Sequence, residues 1–350
     1  MTDNADMIRH LLDTRYSRQV RFEPIGEAGQ KKIMNARAVL IGCGGLGTCV
    51  ADILVRAGIG MLRIVDRDFV DESNLQRQVL FDAGDVAENM PKAEAARVKL
   101  ARINPHVNVE AIIRDVDATT IADIVSDADV ILDGTDNFET RFLINDVAVA
   151  RDIPWVYGAV VGSYGLAKMI IPGKTACLRC LFDHAPSPGT TDTCDTAGII
   201  APIVHMIASV QACQALKLIS GSYDNNEDTL VIFDVWKGEY RGVDMRHARN
   251  QSCPACGKKQ FEYLNAERGS FVTTLCGRNA VQLSWKESHT INLEEIAAAL
   301  SGVGDVSCNR FLLKFIAPDA TITLFADGRA IIEGTDDPGV ARVLYSKYIG

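Results

Sequence analysis

A short apolar run, residues 38–41, passes directly into Gly42-Cys43-Gly44-Gly45-Leu46-Gly47, and a helical stretch follows until it stops at Gly58. Strand, glycine-rich turn and helix in that order restrict a chain to few folds. Glycine removes the Cβ that would hold a phosphate away from the backbone, and the first turn of the helix offers free N–H groups and a favourable dipole. The segment reads as an anion-binding crevice in a protein of alternating strands and helices.

The alternation continues downstream. Residues 62–65 end at Asp66, residues 130–132 end at Asp133 with Gly134-Thr135-Asp136-Asn137 after it, and residues 92–102 are helical in pattern. Strands separated by helices imply a Rossmann-like α/β fold, a mostly parallel sheet with helices on both faces. Further strands are read at 154–161, 166–171 and 230–235, and a long apolar helix from about 198 to 218 is stopped by Gly221. Beyond residue 267 the pattern changes to short strands at 280–283, 311–316, 321–325 and 330–333, with helices at 292–300 and 338–348. Asp327-Gly328 marks a hairpin between two of those strands. The expected organisation is a nucleotide-binding domain over 1–267 and a small α+β appendage over 268–350.

Composition narrows the function. A net charge of −9 argues against broad nucleic-acid binding, which needs a basic face to displace counterions. The polar N-terminus lacks the apolar core of a signal peptide and no run is read as long enough to span a bilayer, so a cytoplasmic protein without a membrane partner is expected.

Asp66, at the end of the strand after the glycine turn, stands where an acid accepts hydrogen bonds from ribose. Gly42, Gly44, Gly45, Gly47 and Asp66 alone leave NAD, FAD, S-adenosylmethionine and ATP open. The next segment, with Asn74, Arg77 and Gln78, adds polar and cationic groups, and Lys92 opens the following helix. Arg77 and Lys92 suit a triphosphate better than the less charged pyrophosphate of NAD. Asp136 lies past the carboxyl end of a strand, where a carboxylate can hold Mg²⁺ between phosphate oxygens.

Ten cysteines in such a chain point to metal binding or thiol chemistry. Cys177-x₂-Cys180 and Cys253-x₂-Cys256 are two pairs spaced to give four thiolates to one structural Zn²⁺. Cys194 follows a Pro- and Thr-rich loop and precedes the apolar helix, a position that favours thiolate. Cys43 and Cys49 are expected beneath the glycine turn, and Cys213 and His205 in the packing of the long helix.

Taken together, Arg15-Tyr-Ser-Arg18-Gln19, the glycine turn, Ile64-Val-Asp66-Arg-Asp68, Ser73-Asn-Leu-Gln-Arg77-Gln78, Pro91-Lys92-Ala-Glu-Ala-Ala96 and Gly134-Thr-Asp136-Asn137 resemble the ThiF/MoeB/HesA family of ATP-dependent adenylyltransferases. The resemblance covers about residues 15–257. It implies a homodimer in which Arg18 reaches the ATP phosphates of the neighbouring subunit. Asn74, Arg77, Lys92 and Asp136 would then serve phosphates and Mg²⁺, Asp66 the ribose, and the four paired cysteines zinc. It also implies the reaction, adenylylation of the C-terminal glycine carboxylate of a small ubiquitin-like sulfur carrier with release of pyrophosphate. Cys194 matches the thiol that joins the activated carrier afterwards, and sulfur would come from a separate donor protein. The segment leading into Cys177 and the appended region favour a thiamine-pathway carrier over a molybdopterin one. An NAD-dependent oxidoreductase, a tRNA-modifying dehydratase of related type and a non-catalytic adaptor for a ubiquitin-like partner are the competing readings.

Overall fold

The computed structural model describes residues 4–182, 198–224, 228–265, 272–275, 279–284, 291–317 and 320–349. Two compact units result, Met1–Asp85 with Pro91–Glu267, and Val86–Met90 with Arg268–Gly350.

The first unit is built on eight strands, β1 (Arg37–Ile41), β2 (Met61–Val65), β3 (Asn108–Ile112), β4 (Val130–Asp133), β5 (Trp155–Val161), β6 (Tyr164–Ile170), β7 (Thr229–Asp234) and β8 (Glu239–Asp244), in the order β3-β2-β1-β4-β5-β6-β7-β8. Pairings from β3 to β5 are parallel, and those from β5 to β8 are antiparallel. The chain leaves β1 in one direction for β2 and β3 and returns on its other side for β4. That reversal opens a crevice at the carboxyl ends of β1 and β4, the usual ligand position in such sheets.

Burial follows the pattern of a sheet covered on both faces. Val39, Ile41, Val65, Ile131, Trp155 and Tyr157 join one apolar cluster with Phe142, Ile144 and Val147 of the helix Phe138–Arg151. The alternate residues Ala38, Leu40, Leu62, Ile64 and Val156 are equally buried on the opposite face, where the helices Gly45–Ala57 and Ala201–Ser220 pack. Gly58 ends the first of these in the left-handed region, at φ +83°, with its N–H on the Leu54 and Val55 carbonyls.

The helix Ala201–Ser220 corrects the expectation that no run could span a bilayer. Its 20 residues and mean hydropathy of 1.3 satisfy that test by length and composition. It packs on β5, β6 and the helix Gly45–Ala57, and Ile203, Val204, Ile207, Ala208 and Ala212 are fully buried there. Its apolarity therefore belongs to the core. Its outer face carries His205 and Cys213, both exposed rather than packed as expected. The helix begins at Ala201, later than the sequence pattern suggests, with Pro202 in its first turn.

The second unit holds six antiparallel strands, β9 (Val272–Leu275), β10 (Ala280–Leu283), β11 (Asp305–Cys308), β12 (Leu312–Ile316), β13 (Thr321–Phe325) and β14 (Ala330–Glu333), in the order β11-β12-β13-β14-β10-β9. Val281, Leu313, Phe315, Ile322, Leu324 and Ile332 form its core with Leu293, Leu300 and Leu344 from the helices Leu293–Leu300 and Pro338–Tyr348. The Asp327-Gly328 hairpin closes β13 on β14, with Gly328 at φ +88°. Val86–Met90 belongs with this unit, since the Asn309 side chain donates to the Glu88 carbonyl at 2.8 Å.

Candidate nucleotide site and cysteine cluster

The turn after β1 is shaped by close backbone contacts. Gly42 sits at φ +89° and donates to the Val65 carbonyl at 2.8 Å, while Gly134 after β4 donates to the Ile41 carbonyl at 2.8 Å. A Cβ at Gly42 would stand 2.6 Å from Gly134, one at Gly134 would stand 2.2 Å from the Gly42 carbonyl oxygen, and one at Gly47 would stand 2.1 Å from that same oxygen. These three glycines are fixed by backbone against backbone. Gly44 is different, because a Cβ there would meet nothing nearer than 3.9 Å. Its face is open towards the crevice.

Asp66 braces the turn from β2. One carboxylate oxygen accepts the Cys43 N–H at 2.5 Å and the other the Asp68 N–H at 2.7 Å. Burial pushes the Asp66 carboxyl above its ordinary range, and the Lys92 charge works against that rise. Lys92 is 3% exposed, and its ammonium lies 3.0 Å from Asp68. Its backbone N–H also donates to the Asp68 carbonyl at 2.9 Å, so the helix Lys92–Ile103 begins clamped to the end of β2.

Asp71 to Gln78 folds as a capped turn. Asp71 and Asn74 cap each other reciprocally, and the buried Asn74 thereby fixes a 3₁₀ turn over Glu72–Asn74. Arg77 donates to the Ser73 carbonyl at 2.9 Å, and its stem lies beside Gly45. Gln78 is 3% exposed, and its carboxamide oxygen has no protein partner. A buried polar atom of that kind next to an open Gly44 is what a polar ligand would satisfy.

On the opposite wall Asp133 ends β4 fully buried, accepting from Thr135 N–H at 2.9 Å, Thr135 Oγ1 at 2.7 Å and the Arg141 guanidinium at 3.2 Å. Burial raises its pKa and Arg141 lowers it. Arg141 also donates to the Thr135 carbonyl at 2.7 Å, so the pair fixes the turn that leaves Asp136 exposed at the rim. Gln211, from the long helix, reaches the Asp133 carbonyl at 2.8 Å.

The sheet edge therefore collects Gly42, Gly44, Gly45, Gly47, Asp66, Asn74, Arg77, Gln78, Lys92 and Asp136. Arg18 is elsewhere. The neighbouring Gln19 donates to the Ala57 carbonyl at 3.0 Å, at the far end of the helix whose first residue is Gly45, and Arg18 is exposed there. Cys194 and the loop before it lie outside the described residues.

Cys177, Cys180, Cys253 and Cys256 converge in a second site, all four sulfurs lying within 4.8 Å of one another. The separations Cys177–Cys180, Cys177–Cys253 and Cys180–Cys256 are 3.8, 3.7 and 3.5 Å. Tetrahedral zinc with Zn–S bonds of about 2.3 Å sets sulfurs about 3.8 Å apart, so the cluster is compatible with that ion. The Asn145 side chain accepts the Leu178 N–H at 2.9 Å, and the Asn250 N–H donates to Cys180 Sγ at 3.5 Å. Of the remaining thiols, Cys43 and Cys49 are buried, as their place by the turn suggests.

Sequence reasoning assigned no site role to Asp68, Asp133, Arg141 or Gln211. Asp133 carried a usable signal, since an acid closing a wholly apolar strand must find a buried partner. Nothing in the spacing assigned Arg141 to it.

A Rossmann-like sheet with a glycine turn, an acid on the second strand and a four-cysteine knuckle defines a nucleotide-binding α/β protein. Comparison narrows the class, since residues 16–255 match the ThiF family, to which the chain belongs. The sulfur carrier protein ThiS adenylyltransferase of Bacillus subtilis is 47% identical, over 96% of this chain and 99% of that protein. The Escherichia coli protein of the same description is 37% identical, over 69% of this chain and 94% of its own length. Among solved structures, Escherichia coli MccB with AMPCPP and MccA superposes with a TM-score of 0.61 at 25% identity, covering 70% of this chain and 75% of that one.

Proposed function

We propose that the protein is an ATP-dependent adenylyltransferase acting on the C-terminal glycine carboxylate of a small ubiquitin-like sulfur carrier, of the ThiS type by preference. The 47% identity to the Bacillus subtilis ThiS adenylyltransferase, over 96% of this chain and 99% of that protein, carries this reading. A molybdopterin-pathway carrier is the second candidate, favoured by the 36% identity to the probable adenylyltransferase/sulfurtransferase MoeZ of Mycobacterium tuberculosis.

In this reading ATP lies along the crevice, phosphates on the glycine turn and ribose at Asp66. The carrier carboxylate attacks the α-phosphorus, the bond to the bridging oxygen breaks, and pyrophosphate leaves with its electron pair. The nucleophile is already an anion, so no base is needed and the barrier is one of charge repulsion and alignment. Arg77 and Lys92 offset the phosphate charge, Asn74 and Gln78 orient the oxygens, and Asp136 is the carboxylate that would hold a Mg²⁺, which when bound would supply further positive charge to the phosphates. Lys92 is suited to this role because Asp66 and Asp68 hold it at a fixed point in a buried setting.

Arg18 completes the site of a second copy. The position of Gln19 supports this, since Ala57 is the last residue of the 13-residue helix that begins at Gly45, about 18 Å away by helical rise. Zinc in the four-cysteine cluster would be structural, joining the knuckle at Cys177 to the segment around Cys253. Cys194 acts after adenylylation, joining the activated carrier either as a thioester, its thiolate displacing AMP, or as an acyl-disulfide, in which a persulfide sulfur supplied by a separate donor protein displaces AMP. Intact-mass detection of an adenylylated carrier, absent for a carrier lacking its terminal glycine, tests the reaction.

A further inference from the structure

Arg67 stands between Asp66 and Asp68, two residues past the end of β2, and no step above uses it. Its guanidinium Nη1 is 3.0 Å from Asp115 and its Nε is 3.9 Å from Asp68. Asp115 is three residues past the end of β3, and its own position is fixed by the Val116 N–H at 3.0 Å. Burial works against the Arg67 charge, but Asp115, Asp68, Asp136 and Asp66 together hold its pKa above the ordinary value. Asp115 follows β3, so the ion pair holds Arg67 across the carboxyl ends of the neighbouring strands β2 and β3.

A nucleotide is a linear object. With phosphates at the glycine turn over β1 and ribose at Asp66 on β2, the base must continue to the far side of Asp66, towards the exit of β3. Arg67 and Asp115 form that rim. A guanidinium is planar, cationic and weakly hydrated, and it stacks well on aromatic rings when its edge is already bound to a carboxylate.

We propose that Arg67, held by Asp115, is the residue that binds the nucleotide base and sets the preference for a purine. The proposal rests on the nucleotide reading of the crevice but not on the carrier or the reaction. Arg67 determines specificity, and it takes no part in phosphoryl chemistry.

Titration calorimetry of the full chain with Mg·ATP and Mg·CTP, alongside the KM for ATP in pyrophosphate exchange, tests it. Arg67→Leu is expected to weaken ATP binding about tenfold, to narrow the ATP over CTP preference to within about threefold, and to raise KM with kcat within about twofold. Arg67→Lys keeps the charge without the plane and should lose most of the base preference while staying as folded as wild type. Asp115→Asn separates recognition from scaffolding, since a purely structural Arg67 would give equal losses for ATP and CTP in all three variants. Unchanged ATP affinity, or a loss shared equally by CTP, overturns the proposal. Wild-type protein that binds ATP yet exchanges no pyrophosphate contradicts the adenylyltransferase reading and leaves Arg67's role standing, whereas wild-type protein that binds no ATP contradicts both.

Discussion

The side-chain amide of Gln19 donates to the carbonyl of Ala57 at 3.0 Å, and this bond sets Arg18 at the opposite end of a 13-residue helix from the glycine turn. An arginine side chain cannot bridge a helix of about 20 Å, so the proposed role of Arg18 at a nucleotide requires the site of another copy. Arg18→Ala and Asp136→Ala are each expected to abolish exchange alone. Mixed in equal amounts and allowed to exchange subunits, they should recover about a quarter of wild-type activity, because half the dimers carry one intact site of two. Absence of any recovery would contradict sharing between subunits.

Lys92 is buried and its charge is balanced by Asp68 at 3.0 Å. Lys92→Met should cut exchange at least about a hundredfold, the usual loss when one fixed group facing developing phosphate charge is removed. It should also lower stability by about 1–3 kcal/mol in urea unfolding, since Asp66 and Asp68 lose the buried ammonium and keep only Arg67 near them. A stable variant with wild-type kcat would remove Lys92 from the site.

Sequence reading located one wall of this site better than the other. Gly42, Gly47, Asp66, Asn74 and Lys92 lie in one local strand-turn-helix unit and its continuation, where spacing alone brings them together. Asp133 and Arg141 depend on how β4 meets the next helix, and Gln211 reaches in from a helix almost eighty residues later. β3, β8 and β11 were missed for a related reason. They lie at sheet edges, with β8 fully exposed, β11 mostly exposed and β3 half-buried, so they carry no alternating apolar signal. β9 was missed as well, since Val272–Leu275 places two threonines between its apolar ends and forms neither an apolar run nor an alternation.

The four cysteines predict a metal dependence that can be read without any assay of activity. Purified protein should contain about one zinc per chain, and Cys180→Ser or Cys256→Ser should lose it and lower the Tm, because binding energy at such a site is folding energy. Full stability after metal removal would show that the knuckle holds itself together.

Asp146 provides a pH test. Burial pushes its carboxyl up to about 6, against the N–H groups of Tyr263 and Leu264 that it accepts. Because the folded value exceeds the unfolded one, its contribution is fully present below about pH 4 and is lost as pH rises through 6. Asp146→Asn should therefore be more stable than wild type at pH 8, by up to about 3 kcal/mol, with the advantage shrinking towards pH 4. Parallel unfolding profiles for the two proteins across that range would contradict a raised pKa.

The central claim is tested most directly by ATP–pyrophosphate exchange with a ThiS-type carrier ending in glycine. The account predicts exchange that requires the carrier, is lost in Asp136→Ala and persists in Cys194→Ala. No carrier-dependent exchange above the Asp136→Ala level, with either a ThiS-type or a molybdopterin-type carrier, would contradict it.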